Sequence, residues 1–188
     1  YFDKKTFTYQ DVAEQVAQLH LLFKKLNVQK NDKIALVGKN GSLWCITYIA
    51  TVTYGAVIVP MLQDFPPENL TNIINHSDSK ILFTSDYIWN KLNAEELPNV
   101  ESVISLKKFE CISTKEEKNA KFIADAEKAF KEKYPNGFTK EDIKYAEVPN
   151  SNVVCFSYTS GTTGFSKGVM LTANNFAGNI TFGFTSKM

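Results

Sequence analysis

The residues best suited to chemistry form one run of ten, T-S-G-T-T-G-F-S-K-G at positions 159–168, directly after an apolar stretch at 153–158. Its glycines allow tight turns and let a ligand come close to the backbone. Its hydroxyls and backbone N–H groups are hydrogen-bond donors, and Lys167 adds a positive charge. Donors of this kind after a buried strand predict a cradle for anionic oxygens, most naturally those of phosphate groups.

The composition limits which groups can hold such an anion. All 21 basic residues are lysine, so the chain has no guanidinium group to clamp a phosphate or carboxylate with two parallel hydrogen bonds. A phosphate site here must therefore use backbone N–H groups, hydroxyls and a lysine ammonium. The 21 lysines face 20 acidic residues, and the resulting net charge of +1 argues against a nucleic-acid-binding protein, which needs a basic surplus.

Two widespread nucleotide-binding motifs do not fit this run. Counted from Gly161, Lys167 keeps the position of the P-loop lysine, but Ser166 stands where that motif requires glycine and Gly168 where it requires Ser or Thr. The spacing G-x-G-x-x-G is not present either. The alternative interpretation is an ordinary surface turn rich in Thr, Ser and Gly, but such a turn needs neither this density of donors nor a lysine between Ser and Gly.

Hydrophobic patterning upstream predicts the elements that must position these residues. Apolar runs typical of buried strands alternate with segments of helical spacing. A Thr-x-x-Asp capping signature at Thr8 begins the first helix, and Pro66-Pro67 begins another. Strands joined by helices predict an α/β fold with a doubly wound, mostly parallel sheet flanked by helices. The predicted strands lie at 33–38, 56–59, 81–83, 101–106 and 153–158, and the predicted helices at 12–26, 43–54, 66–74 and 87–92.

Residues 113–134 interrupt this alternation with a highly charged segment. Apolar residues recur there every four positions, and pairs such as Glu127 and Lys131 stand four residues apart, as is typical of a helix packed on the surface. We therefore divide the chain into an alternating α/β core at 1–112, a charged helical excursion at 113–137, and a final part at 150–188. That last part carries the strand, the phosphate-binding segment and the residues after it.

The stretch 40–63 has no charged residue and is long enough to cross a bilayer. Gly55 and Pro60 divide it, however, and its pattern favours a buried helix at 43–54 followed by a buried strand at 56–59 that Pro60 ends. We therefore expect no transmembrane segment.

Cysteine and histidine usage gives no second site. The three cysteines lack C-x-x-C spacing and predict reduced, intracellular thiols, and hence a cytoplasmic location. Cys45 and Cys155 lie in apolar runs and are expected to be small core residues. His20 lies on a predicted helix and His76 at a helix end, so a structural role is expected for both.

Residues 158–168 resemble the phosphate-binding signature of adenylate-forming enzymes, which include acyl-CoA synthetases, firefly-type luciferases and the adenylation domains of peptide synthetases. The consensus Y-T-S-G-T-T-G-x-P-K-G, commonly followed by V-M-L-T, is matched by Y-T-S-G-T-T-G-F-S-K-G and V-M-L-T. The one departure is Ser166 where proline is usual, which removes a constraint on φ before Lys167. Weaker matches cover nearly the whole chain, and I-N-H-S-D-S-K at 74–80 is most similar to long-chain fatty-acid–CoA ligases.

The resemblance implies an ATP-dependent ligase that works in two steps. A fatty carboxylate attacks the α-phosphate of ATP to give acyl-AMP and pyrophosphate, and the thiol of CoA then displaces AMP. Lys167 is implied as the catalytic charge partner and Thr159 as a ligand of Mg²⁺. The residues implied to bind the ATP phosphates are Thr159, Ser160, Gly161, Thr162, Thr163, Gly164, Lys167 and Gly168.

The same resemblance places other family features beyond Met188: the adenine-contacting segment, an acidic Mg²⁺ ligand, a ribose-binding Asp and a C-terminal catalytic Lys. The chain begins at Tyr1 without an initiator Met or a signal peptide. We therefore expect the N-terminal portion of a longer protein, inactive by itself.

Alternatives to a fatty-acid ligase stay open at this point. The acid could be aryl, medium-chain or an amino acid, because the sequence does not separate these substrates. A non-catalytic nucleotide-binding homologue or a scaffold at a membrane surface is favoured only by Ser166. Peripheral attachment of the full-length protein suits lipid substrates, but no basic amphipathic helix supports it, and the oligomeric state is not indicated.

Overall fold

A computed structural model describes residues 6–159 and 167–186. Seven strands of these residues form one sheet in the order β5-β4-β3-β1-β2-β6-β7. The strands are β1 (Lys33–Val37), β2 (Val57–Met61), β3 (Ser79–Thr84), β4 (Ser102–Ser105), β5 (Cys111–Thr114), β6 (Val153–Thr159) and β7 (Lys167–Thr172). The helices are α1 (Tyr9–Lys25), α2 (Ser42–Tyr54), α3 (Pro67–His76), α4 (Asp86–Trp89), α5 (Glu117–Ala124), α6 (Ala126–Lys133) and α7 (Ala173–Thr185), with 3₁₀ turns at Ala94–Glu96 and Lys140–Asp142.

The sheet is mostly parallel, which confirms the predicted fold class. The five central strands β4, β3, β1, β2 and β6 run in the same direction, while β5 and β7 pair antiparallel at the two edges. Alternate residues of β1 serve the two faces: Ile34 and Leu36 pack with α1 and α2, whereas Ala35 and Val37 pack with α3. Helices on both faces make the sheet doubly wound.

The first helix begins at the predicted capping box. The backbone N–H and the hydroxyl of Thr8 donate to Oδ2 of Asp11 at 2.7 and 2.8 Å, and the Asp11 N–H donates back to the Thr8 hydroxyl at 3.1 Å. The hydrogen bonds from both Thr8 groups lower the pKa of Asp11. The predicted apolar face of α1 is buried at Val16, Leu19, Leu22 and Phe23.

Helix α2 and strand β2 occupy the uncharged stretch. Thr47 and Thr51 lie on the buried face of α2. Their hydroxyls can be buried because they donate to the carbonyls of Leu43 and Thr47, each at 2.8 Å. Cys45 does not lie on this buried face and is exposed, so the prediction that it is a core residue is wrong. No helix among the residues described is both long and apolar enough to cross a membrane.

Strand β2 continues past its predicted end. Pro60 lies within the strand in register with Leu36 of β1, and the strand ends one residue later. The register with β6 on the other side falls at Ile58. Because the φ angle of proline is compatible with extended backbone, the residue does not have to end a strand.

The segment predicted as one helix over 113–134 is instead a strand and two helices. Val103 of β4 pairs with Ser113 of β5, and this long-range ladder outweighs the helical spacing of the charged residues that come after it. Asp125 then separates α5 from α6. The ammonium of Lys131 lies 2.6 Å from Oε1 of Glu127, so that predicted pair forms on the exposed face of α6.

Candidate functional site

The run predicted to bind phosphate lies where β6 ends and β7 begins. These strands pair antiparallel, with Tyr158 opposite Gly168 and Thr159 opposite Lys167. Of the predicted site residues, Thr159, Lys167 and Gly168 are therefore brought together by the ladder. The remaining predicted site residues lie outside the described residues, and so does Ser166. These remaining residues are Ser160, Gly161, Thr162, Thr163 and Gly164.

The direction of β6 decides where this site opens. Because β6 runs parallel to β2, its last residue, Thr159, lies at the carboxyl edge of the parallel sheet. Ligands of open α/β sheets bind outside this edge. Thr159 and Lys167 lie on neighbouring strands and are both exposed at this edge. A ligand there can therefore contact a hydroxyl and an ammonium group.

Gly168 lies in close contact with the ring of Tyr158. A Cβ atom at position 168 would lie 3.0 Å from Cζ and 3.2 Å from Cε1 of Tyr158, closer than ordinary van der Waals contact. Tyr158 itself is buried among apolar residues that include Ile73 and Ile74 of α3. The glycine therefore lets β7 lie close against an anchored aromatic ring.

His76, the last residue of α3, holds the other end of that ring. Its Nδ1 lies 2.7 Å from the Tyr158 hydroxyl oxygen, and the two rings meet edge to face with centroids 5.8 Å apart. Burial, and secondarily the negative charge of Asp78, raises the pKa of Tyr158, so its hydroxyl keeps its proton and can donate to Nδ1. Sequence reasoning gave His76 only a role at a helix end, since nothing in the pattern connects residues 82 positions apart.

The motif residues after the hairpin build a helix end. The backbone N–H and hydroxyl of Thr172 donate to Oδ1 of Asn175, each at 2.8 Å, and this capping box begins α7. The neighbouring Asn174 donates its N–H to the carbonyl of Asn150. This part of the signature therefore anchors the hairpin to the helix that comes after it.

The reactive side chains elsewhere in the described part of the chain serve packing and hydrogen bonding. Burial raises the pKa of the Cys155 thiol, which keeps it protonated and poorly nucleophilic. His20 is held by the carbonyl of Ala50 and the hydroxyl of Thr53, both 3.0 Å from its Nε2, which agrees with the structural role expected for it. Within residues 6–159 and 167–186, no three side chains of His, Cys, Asp or Glu group together in a way that could hold a metal ion.

A family model described as AMP-binding enzyme matches residues 1–187, and the chain belongs to that family. Luciferin 4-monooxygenase of Photuris pensylvanica is 29% identical over 180 residues, which cover 92% of this chain and 31% of that protein. Long-chain-fatty-acid–CoA ligase 5 of Rattus norvegicus is 26% identical over 190 residues, covering 94% of this chain and 26% of that one.

Solved structures share the fold. The anthranilate CoA ligase AuaEII, in complex with anthranoyl-AMP, superposes with a TM-score of 0.75 at 16% identity over 96% of this chain and 31% of that chain. This likeness shows that the two chains share the arrangement of strands and helices. The chain spans about a quarter to a third of the length of the curated relatives it matches.

Proposed function

We propose that this chain is the N-terminal portion of an ATP-dependent acid–thiol ligase that activates a fatty acid as its adenylate and transfers it to CoA. The observation that carries the proposal is the pairing of Thr159 with Lys167 at the carboxyl edge of the sheet, on either side of the segment that matches the family's phosphate signature. Membership of the AMP-binding enzyme family supports the adenylating step.

In the first step a carboxylate oxygen bonds to the α-phosphorus of ATP, and the bond to the β-phosphate oxygen breaks. Pyrophosphate leaves with both electrons of that bond, so negative charge grows on the group that these residues are proposed to hold. The Lys167 ammonium stabilises this charge, and the segment 159–168 keeps the β- and γ-phosphates in line with the attacking carboxylate.

In the second step the CoA thiol loses its proton to solvent and its sulfur bonds to the acyl carbon. The bond from that carbon to the phosphate oxygen breaks, and AMP leaves with both electrons of that bond. Thr159 is the residue proposed to hold Mg²⁺, because its exposed hydroxyl is an oxygen donor of the kind this cation accepts. The ion, when bound with ATP, neutralises phosphate charge.

A long-chain fatty acid is the proposed acid for two reasons. The segment at 74–80 is similar to that of long-chain ligases, and a ligase named for long-chain fatty acids is among the relatives. A luciferin monooxygenase and an anthranilate CoA ligase match as well, so a panel of acids distinguishes a fatty acid from an aryl acid.

The test is pyrophosphate release by the complete protein with ATP and a panel of long-chain, medium-chain, aryl and amino acids. We expect the highest kcat/KM with a long-chain acid. A higher value with an aryl acid would overturn the acid but not the adenylation, and no release with any acid would indicate a non-catalytic homologue.

Lys167→Met tests the proposed role of the ammonium. We expect kcat/KM for ATP to fall by roughly 10²- to 10³-fold, as when one group that stabilises transition-state charge is removed. Lys128→Met is the matched control, because Lys128 is an exposed lysine of α6 whose nearest carboxylate is Glu132 on the same helix. Equal activity of the two variants would contradict the role.

A further inference from the structure

A chain of contacts runs from α3 through β6 to β7. It starts at His76, whose Nδ1 lies 2.7 Å from the Tyr158 hydroxyl, and it continues through the Tyr158 ring, which covers Gly168. The three residues come from three different elements, two of which are neighbours in the sheet. Fixing the ring at its hydroxyl end therefore also fixes the surface on which Gly168 rests.

The residues next to this contact are the proposed phosphate ligands. Thr159 follows Tyr158 directly, Lys167 precedes Gly168 directly, and the two pair across the hairpin. The ring therefore lies in the residue before Thr159 and in contact with the residue after Lys167. β7 is the edge strand and pairs with β6 alone, so within residues 6–159 and 167–186 the sheet holds it from one side only.

We infer that His76 is a positioning residue for ATP binding: its hydrogen bond to Tyr158 holds the ring against Gly168 and so keeps Thr159 and Lys167 in register for the phosphates. This inference rests on the proposed function, since it concerns the same site. A single hydrogen bond of this kind changes an equilibrium constant roughly two- to tenfold.

His76 can be replaced without opening the core, because the residue is exposed while the ring it contacts is buried. His76→Phe keeps an aromatic ring but removes the ring nitrogen that bonds to Tyr158. His76→Asn keeps a hydrogen-bonding group on a short side chain, and Tyr158→Phe removes the hydroxyl. These variants separate the hydrogen bond from the bulk of the side chains.

In the complete ligase, we expect His76→Phe and Tyr158→Phe each to lower kcat/KM for ATP roughly two- to tenfold, with KM for the acid unchanged. His76→Asn should restore a kcat/KM near that of the unaltered protein. The double variant His76→Phe with Tyr158→Phe should be no worse than either single variant, because both remove the same interaction. Equal kcat/KM values for His76→Phe and His76→Asn would overturn the inference.

Hydrogen exchange of the β7 backbone, read by mass spectrometry in the same protein, needs no activity. We expect faster exchange at 167–172 in His76→Phe than in His76→Asn, with equal melting temperatures. If no acid supports pyrophosphate release, the proposed function fails, and direct ATP titration together with exchange decides the inference. Weaker ATP binding and faster exchange in His76→Phe alone would support it, and no difference from His76→Asn in either would overturn it.

Discussion

Gly168 lies against the aromatic ring of Tyr158, which is ten residues earlier in the chain. A Cβ atom at 168 would lie only 3.0 Å from the Tyr158 ring, and the ring is held by buried neighbours and by His76. Close packing against Tyr158 therefore favours glycine at this position of the signature. Lys167, the proposed phosphate ligand, precedes this glycine and pairs with Thr159.

Gly168→Ala should destabilise the chain by about 1–3 kcal/mol, because the new methyl group overlaps a ring that cannot move freely. Gly178→Ala is the control: a Cβ atom there meets nothing within 4 Å, and alanine should stabilise helix α7 by up to about 1 kcal/mol. Urea unfolding measures both free energies. Equal stability of the two variants would show that the Tyr158 ring yields without cost.

His20 links α1 to α2 through the carbonyl of Ala50 and the hydroxyl of Thr53. Burial lowers the pKa of the His20 imidazole below its ordinary value of 6.5, and this effect outweighs the hydrogen bond to Ala50, which raises it. The folded protein thus holds this group neutral at pH values where the unfolded chain already binds a proton.

The free energy of unfolding should therefore fall as the pH drops below about 6.5, since the unfolded state then takes up the proton first. One proton limits this slope to about 1.4 kcal/mol per pH unit. Above that pH both states are neutral at His20 and the contribution is complete. Urea unfolding across about pH 5.5–7.5 measures the slope, and His20→Gln, which keeps a donor but does not titrate, should flatten it. An unchanged slope in that variant would assign the dependence to other groups.

At the scale of elements, helix ends are set by local sequence. The boxes Thr8–Asp11 and Thr172–Asn175 both occupy N-termini, and in each a side chain satisfies a backbone N–H that has no partner within the helix. Such signals act over three residues and so can be interpreted without knowledge of the fold.

Thr8→Ala should lower the free energy of unfolding by about 1 kcal/mol, because it leaves the Asp11 N–H without its side-chain acceptor. Thr6→Ala makes the same chemical change two residues earlier, outside the capping box, and should have an effect below about 0.5 kcal/mol. Thermal or urea unfolding distinguishes the two. A similar loss for both would argue against the cap as the cause.

Strand β5 shows the limit of local patterns. Ser113 and Thr114 precede a segment of strong helical spacing, yet they pair with Val103 and Ser102 of β4. Cys45 shows the same limit on a helix, since an apolar run does not say which residues of α2 face the sheet. In both cases the outcome depends on a partner that lies elsewhere in the chain.

At the scale of the whole molecule, one sheet joins strands from distant parts of the chain. Strand β6 inserts beside β2, nearly a hundred residues earlier, so the segment proposed to bind phosphate follows a strand of the same sheet as the first α/β units. Both faces of the sheet are covered by helices, which leaves its carboxyl edge as the place for a ligand.

The 188-residue chain alone, mixed with ATP, a long-chain fatty acid and CoA, should form no acyl-CoA. The resemblance implies that the adenine-contacting segment, the ribose-binding Asp and the C-terminal catalytic Lys of such enzymes come from other segments, so we expect that these residues alone do not complete adenylation. Thioester formation followed by mass spectrometry is the measurement, with a complete long-chain ligase as positive control. Detectable acyl-CoA would contradict the prediction that these 188 residues are inactive by themselves.

The sequence by itself determined the α/β class, most of the helices and strands, and the family, because these depend on periodicity, capping signals and one contiguous signature. It also placed Thr159 and Lys167 in one run of residues. Only the tertiary structure decided that they face each other across a ladder, that Gly168 rests on Tyr158, and that His76 holds that ring. The physical reason is that contacts between residues far apart in the chain arise only when packing brings their elements together, and no local pattern encodes them.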